Sequence, residues 1–145
     1  MRTDVTAEIA VDRPREQVSG YATDWRNDRE WIGALTDVRH VAGPEGGVGS
    51  QVLRMASFLG RRIEYVNEVI EHEPGRRLVM RSVKAPFPMT VAYEFEDADR
   101  GGTLMRIRAL GDASGFYRLA GPLLTRAVKR SIAADLARLK AALEA

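Results

Sequence analysis

Apolar and polar residues alternate from Thr3 to Val11. Val5, Ala7, Ile9 and Val11 share one side, and Asp4, Thr6 and Glu8 the other. A period of two predicts a strand with one buried face. Asp12-Arg13-Pro14 then predicts a helix start, with Asp12 as N-cap, Pro14 in the first turn, and Val18 and Tyr21-Ala22 on the apolar side. A second short helix is expected over 28–35, carrying Trp31 and Ile32.

Six further strands follow, over 36–42, 50–58, 61–71, 77–83, 89–96 and 103–110. The breaks between them carry turn chemistry, such as Gly43-Pro44-Glu45-Gly46-Gly47, Glu73-Pro74-Gly75 and Asp99-Arg100-Gly101-Gly102. Connections this short imply an antiparallel meander, because parallel pairs need long crossovers. From 115 to about 143 the period changes. Leu124, Val128, Ile132, Leu136, Leu139 and Leu143 recur at steps of three and four, the stripe of a long helix. Gly121-Pro122 predicts a break near its start, with the main helix running from about Pro122.

The strands sort their faces. Ile63, Tyr65, Asn67 and Val69 oppose Glu64, Val66, Glu68 and Ile70. Met89, Val91, Tyr93 and Phe95 oppose Thr90, Ala92, Glu94 and Glu96, and Met105, Ile107 and Ala109 oppose Arg106 and Arg108. Glutamates and arginines mark the wet side, where cross-strand pairs form. The other side needs a cover, and only the C-terminal helix is long enough. A sheet curved around one helix leaves room that side chains do not always fill. The expected lining takes Met55, Met80, Met89, Met105 and Ile107 from the strands and Trp31 from the second helix. Leu124 and Val128 come from the long helix, and Tyr65, Asn67 and Tyr93 supply polar handles. A plain hydrophobic core is the competing reading of the same residues.

Composition narrows the classes. The chain has 145 residues, 45% apolar and 29% charged, a globular balance that fits one domain over 1–145. It has no cysteine, which removes disulfides and thiolate chemistry and suits a reducing cytoplasm. No run approaches a membrane span, and the start at Met1-Arg2-Thr3-Asp4 carries no signal-peptide character. The net charge of +2 is uneven: six cations and two acids from Ala113 onward make that tail +4, leaving −2 before it. A basic helix face can meet a membrane or nucleic acid. With no aromatic among the charges, an ordinary solvated face is the stronger reading, and no nucleic-acid partner is expected.

Local phrases then add a resemblance. They are Ile9-Ala10-Val11-Asp12-Arg13-Pro14 with Gln17-Val18, followed by Asp24 and Trp31, and Val48-Gly49-Ser50. Glu71-His72-Glu73-Pro74-Gly75-Arg76-Arg77-Leu78, Tyr93-Glu94-Phe95 and Gly101-Gly102-Thr103 complete them. In this order the chain resembles the START-like helix-grip superfamily (SRPBCC), in its polyketide cyclase/dehydrase and lipid-transport branch. The resemblance implies an α+β helix-grip fold, a curved seven-stranded antiparallel sheet wrapped around the C-terminal helix. It also implies a deep cavity for an apolar, lipid-like or polyketide-like molecule. It implies no shared catalytic set.

Candidate chemistry is sparse. His40 and His72 lack metal spacing, no phosphate loop or nucleophile motif is present, and no cofactor or metal is expected. The weak catalytic candidates are Tyr65, Asn67 and Tyr93, joined by Arg54 if its register turns it inward. In a cyclase, Arg54 would stabilise an enolate and a tyrosine would exchange a proton. Phe87, in Ala85-Pro86-Phe87-Pro88, and Phe116, after the glycine-hinged 110–115, are candidate gates. Three functions stay open: a carrier of an apolar small molecule, a polyketide cyclase, aromatase or dehydrase, and an interaction protein using the basic helix. Either a monomer or a homodimer fits.

Overall fold

The computed structural model describes residues 2–145; Met1, part of the N-terminal stretch read above, lies outside them. Strand β1 (Thr3–Val11) is followed by helix α1 (Arg15–Ala22), a 3-10 turn at Trp25–Asn27 and helix α2 (Asp28–Trp31). Six strands follow: β2 (Leu35–Ala42), β3 (Gln51–Phe58), β4 (Arg61–Glu73), β5 (Arg77–Lys84), β6 (Met89–Asp97) and β7 (Thr103–Gly111). Helices α3 (Ser114–Tyr117) and α4 (Gly121–Glu144) close the chain.

The strands form one antiparallel sheet in the order β1-β7-β6-β5-β4-β3-β2. The meander from β2 to β7 uses the short turns read from the sequence. β1 and β2 therefore lie on opposite edges, and the α1–α2 segment has to cross from one to the other. Register shifts interrupt β2 at Leu35/Asp37 and His40/Ala42, β4 at Val69/Glu71, and β5 at Val83, opposite Val66/Asn67. An extra residue in one strand bends it, which curls this half of the sheet.

Helix α4 lies on the concave face against β1. The core joins its Leu136, Leu139 and Leu143 to Val11, Phe95, Met105 and Ile107 of the sheet and to Val18 and Ala22 of α1. Two hydrogen bonds tie the helix end to β1: Lys140 Nζ donates to the Ala10 carbonyl at 2.7 Å, and the Asp12 amide donates to Glu144 Oε2 at 2.8 Å. The convex face is charged as expected beside β1, where Arg106 pairs with Glu8 at 3.1 Å and Arg108 with Asp4 at 2.7 Å.

Several local expectations change. Asp12 does not cap α1: Pro14 holds the cap position in extended conformation (ψ 150°), and the Asp12 amide serves the Glu144 bond instead. The second helix is only Asp28–Trp31, because Ile32 turns extended and Leu35 already pairs with Ala56. Val66 does face outward but is buried there, opposite Leu53. Met55 also faces outward, at 37% exposure, because alternation along β3 gives the inward positions to Val52, Arg54 and Ala56. It is no part of a cavity wall. The Pro122 break stands as read, with Arg118 left-handed (φ 53°) between α3 and α4.

Truncating Leu139, fully buried beneath the sheet, is expected to cost about 2–5 kcal/mol in urea denaturation. Met55→Ala should cost less than about 1 kcal/mol. Equal losses would return Met55 to the core.

Candidate functional site

Three voids follow one another beneath the concave face. The first, about 340 Å³, opens at the sheet end that carries the β2–β3 loop, between that loop and the segment after α1. Its wall includes Asp24, Trp25, Glu45, Ser50 and His72. The second, about 160 Å³, lies at the centre under Trp31 and Asp135. The third, about 190 Å³, lies under the first half of α4, between Leu124 and Val128 above and Ile63, Met89 and Ala109 below. Side chains form the partitions. Arg54, Asn67, Met80 and Tyr93 border both the first and the central void, and Tyr65, Val91, Ala109 and Ile132 border both the central and the third.

The central void is bordered by the buried polar side chains Arg54, Asn67 and Asp135. Arg54 on β3 is 6% exposed and reaches Asp28, 1% exposed, at the start of α2. Nη2 and Nε both meet Asp28 Oδ2, at 2.7 and 2.9 Å. Burial pushes the Asp28 carboxyl above its ordinary value, with Arg54 opposing that rise. For Arg54, burial disfavours the charge, but Asp28 more than offsets it and the guanidinium stays charged. The pair leaves Arg54 Nη1 buried without a partner. Trp31 Nε1 and Asn67 Oδ1 are in the same condition. Unpaired buried groups of this kind cost roughly 1–3 kcal/mol each unless a ligand or water meets them. All three side chains border the central void.

Tyr65 stands opposite Arg54 on β4, and Tyr93 on β6 meets Trp31 edge-on with ring centroids 5.8 Å apart. Burial raises the pKa of both phenols, so both remain protonated donors. A residue missed from the sequence completes the wall. Asp135 lies on α4, and its Oδ1 accepts from the Gly33 amide at 3.0 Å and from Arg138 Nη1 at 2.9 Å. Burial raises its pKa, against the pull of those two partners. A Cβ on Gly33 would meet only the guanidinium tip of the half-exposed Arg138, which can swing aside. The signal was present: Asp135 follows Ile132 by three residues, on the apolar side of the helix. With the donors of Arg54, Trp31, Tyr65 and Tyr93 around one space, the wall can hold a ligand oxygen on which negative charge develops.

The other proposed residues divide. Trp31, Met80 and Ile107 border the central void, and Met89, Leu124 and Val128 the third. Met105 is fully buried in the core and borders none of the three, because it lies where Phe95 and Ile9 flank it on the sheet. Phe87 and Phe116 meet at 5.4 Å, each also touching Tyr117, at the end of the third void. The Arg61 guanidinium lies 3.7 Å over the Phe116 ring. His40 stacks on Trp25, and its Nε2–H donates to the Pro44 carbonyl at 3.0 Å. No cluster of potential metal ligands occurs among the described residues.

Replacing Arg54 by Met is expected to cost about 3–5 kcal/mol, because it strands the Asp28 carboxylate. The double variant with Asp28→Asn should recover much of that loss in urea denaturation. Asp135→Asn tests the second carboxylate through pH. A carboxyl whose folded pKa is raised contributes stability below its unfolded value near 3.8 and loses it as pH rises through the folded value. The wild type should therefore lose stability relative to Asp135→Asn between acid pH and neutrality; a constant difference would contradict the assignment.

The sequence matches the family described as polyketide cyclase/dehydrase and lipid transport over residues 2–144. Among curated proteins none matches. Among solved structures, a START superfamily protein from Mycobacterium smegmatis superposes with a TM-score of 0.83 at 12% identity, covering 97% of each chain. The Zhui aromatase/cyclase from a Streptomyces species gives 0.80 at 18% identity, covering 99% of this chain and 94% of its own. A major latex-like protein of Panax ginseng gives 0.74 at 10%, covering 97% and 96%. At these identities the likeness is one of fold. With its seven-stranded grip on a C-terminal helix and a family match along nearly its whole length, the chain belongs to the polyketide cyclase/dehydrase and lipid transport family.

Proposed function

We propose that this protein binds an elongated, largely apolar small molecule that carries an oxygen group near its middle, in the space between the sheet and α4. One observation carries the reading. Arg54 Nη1, Trp31 Nε1 and Asn67 Oδ1 are buried, lack protein partners and border one void. A ligand oxygen beside Arg54 and Trp31 and a ligand hydroxyl beside Asn67 would satisfy them. The third void, walled by Leu124, Val128 and Met89, suits the apolar remainder.

A second reading adds chemistry. The unpaired guanidinium nitrogen and two protonated phenols suit the enolate oxygen of a poly-β-ketone during cyclisation or dehydration, with Arg54 stabilising the charge and a tyrosine supplying the proton. The fold likeness to an aromatase/cyclase supports it. No cofactor enters either reading.

Native mass spectrometry of freshly purified protein should detect a bound small molecule, identified after release. Titration with that molecule should quench Trp31. Asn67→Ala and Tyr65→Phe should each weaken binding by roughly 5–10-fold, the loss of one buried hydrogen bond. Unchanged affinity in both removes the polar wall from the function. Product formed from a poly-β-ketone would select the second reading. Phe87→Ala should speed ligand exchange if the aromatic cluster is the gate.

A further inference from the structure

Cations without ion-pair partners collect at one end of the molecule. The described ion pairs engage Arg15, Arg54, Arg77, Arg106 and others away from the end where β3 turns into β4 and β5 into β6; the pair of Arg108 with Asp4 lies nearest to it. At that end Arg61 and Arg62 of the β3–β4 hairpin and Lys84 at the end of β5 are exposed and enter none of the described pairs. On the adjoining helices, Arg118, Arg126, Lys129 and Arg130 are also exposed and also enter none. Asp112 is the acid on the same rim, and Glu64 the next along β4.

Exposed apolar side chains stand among these cations: Leu59 at 46%, Val83 at 44% and Leu123 at 53%. Leu59 is held at the hairpin tip with φ 51°, followed by Gly60 at φ 77°. That left-handed pair of turn positions favours Asn-Gly, and a leucine there carries backbone strain while showing its side chain to water. Val41 and Val48, also exposed, lie at the opposite end, on and beside the β2–β3 loop that carries Glu45.

Unpaired positive charge interleaved with protruding apolar groups is the chemistry of an anionic lipid surface. There, cations meet headgroups and the apolar tips enter the interface. We propose that this end, formed by the β3–β4 hairpin, the β5–β6 loop and the first turns of α4, docks on anionic membranes. The aromatic cluster of Phe87, Phe116 and Tyr117 lies at the same end, so docking would bring the third void against the lipid.

Flotation with phosphatidylcholine vesicles, with and without about one third phosphatidylglycerol, tests this without any cavity ligand, so its failure is separate from failure of the binding function. Binding is expected only to the anionic vesicles, and it should weaken with salt. Reversing Arg126, Lys129 and Arg130 to Glu should weaken it at least about tenfold. Leu59→Ser with Leu123→Ser should weaken it about tenfold at unchanged net charge. Reversing Arg29, Arg39 and Arg100 to Glu, the same change in net charge elsewhere, should leave binding nearly intact. Circular dichroism establishes that each variant is folded. No flotation with anionic vesicles overturns the proposal, as do equal losses from the two triple reversals. Tight salt-dependent RNA binding in place of vesicle binding overturns it too.

Discussion

A guanidinium and a carboxylate face each other at 2.7 Å inside this protein, one on a strand and the other on a one-turn helix. Neither residue could stay there alone, since each would leave a bare charge in a medium that solvates it poorly. Their pairing fixes the α2 segment over the sheet and so sets the ceiling of the central void. It also fixes which nitrogen is left over: with Nη2 and Nε committed to Asp28, Arg54 presents Nη1 to the space beside Tyr65 and Asn67. A structural ion pair and a binding group are thus one side chain.

The void exists because one helix covers seven strands. Helix α4 follows β1, and the core is densest there, where Leu136, Leu139 and Leu143 meet β7 and β6. On the β2–β3–β4 side no second long helix fills the concavity. The bulges in β2 and β4 curl this side further inward, and polar residues take the places that packing leaves.

The strands, their turns and the long helix were legible because period two and period 3.6 are strong signals over eight or more residues. The register of β3 was not. Its run Gln51-Val52-Leu53-Arg54-Met55-Ala56 is apolar on both sides, and hydrophobicity alone favoured Met55 inward. Met55 and Arg54 cannot both point inward on an alternating strand. What decides between them is Asp28, a partner 26 residues away on a different element, which no local spacing encodes. Asp135 was readable as a charge on an apolar helix side, while its anchor, the Gly33 amide, is visible only in three dimensions. The gap between Met105 in the core and Met89 at a void wall is likewise a matter of helix placement, invisible to strand periodicity.

The two halves of α4 are held very differently. Its last turns carry a cluster of buried leucines and the bonds from Lys140 to Ala10 and from Asp12 to Glu144, whereas in its first two turns only Gly121 and Leu124 are buried. The helix is a cantilever, clamped at its C-terminal end and resting on empty space at the other. Bending it outward about the clamp would break few contacts, because the void beneath supplies few to lose. The capacity of the third void is therefore not a fixed number but a compliance, set by the stiffness of a single helix rather than by the shape of the sheet.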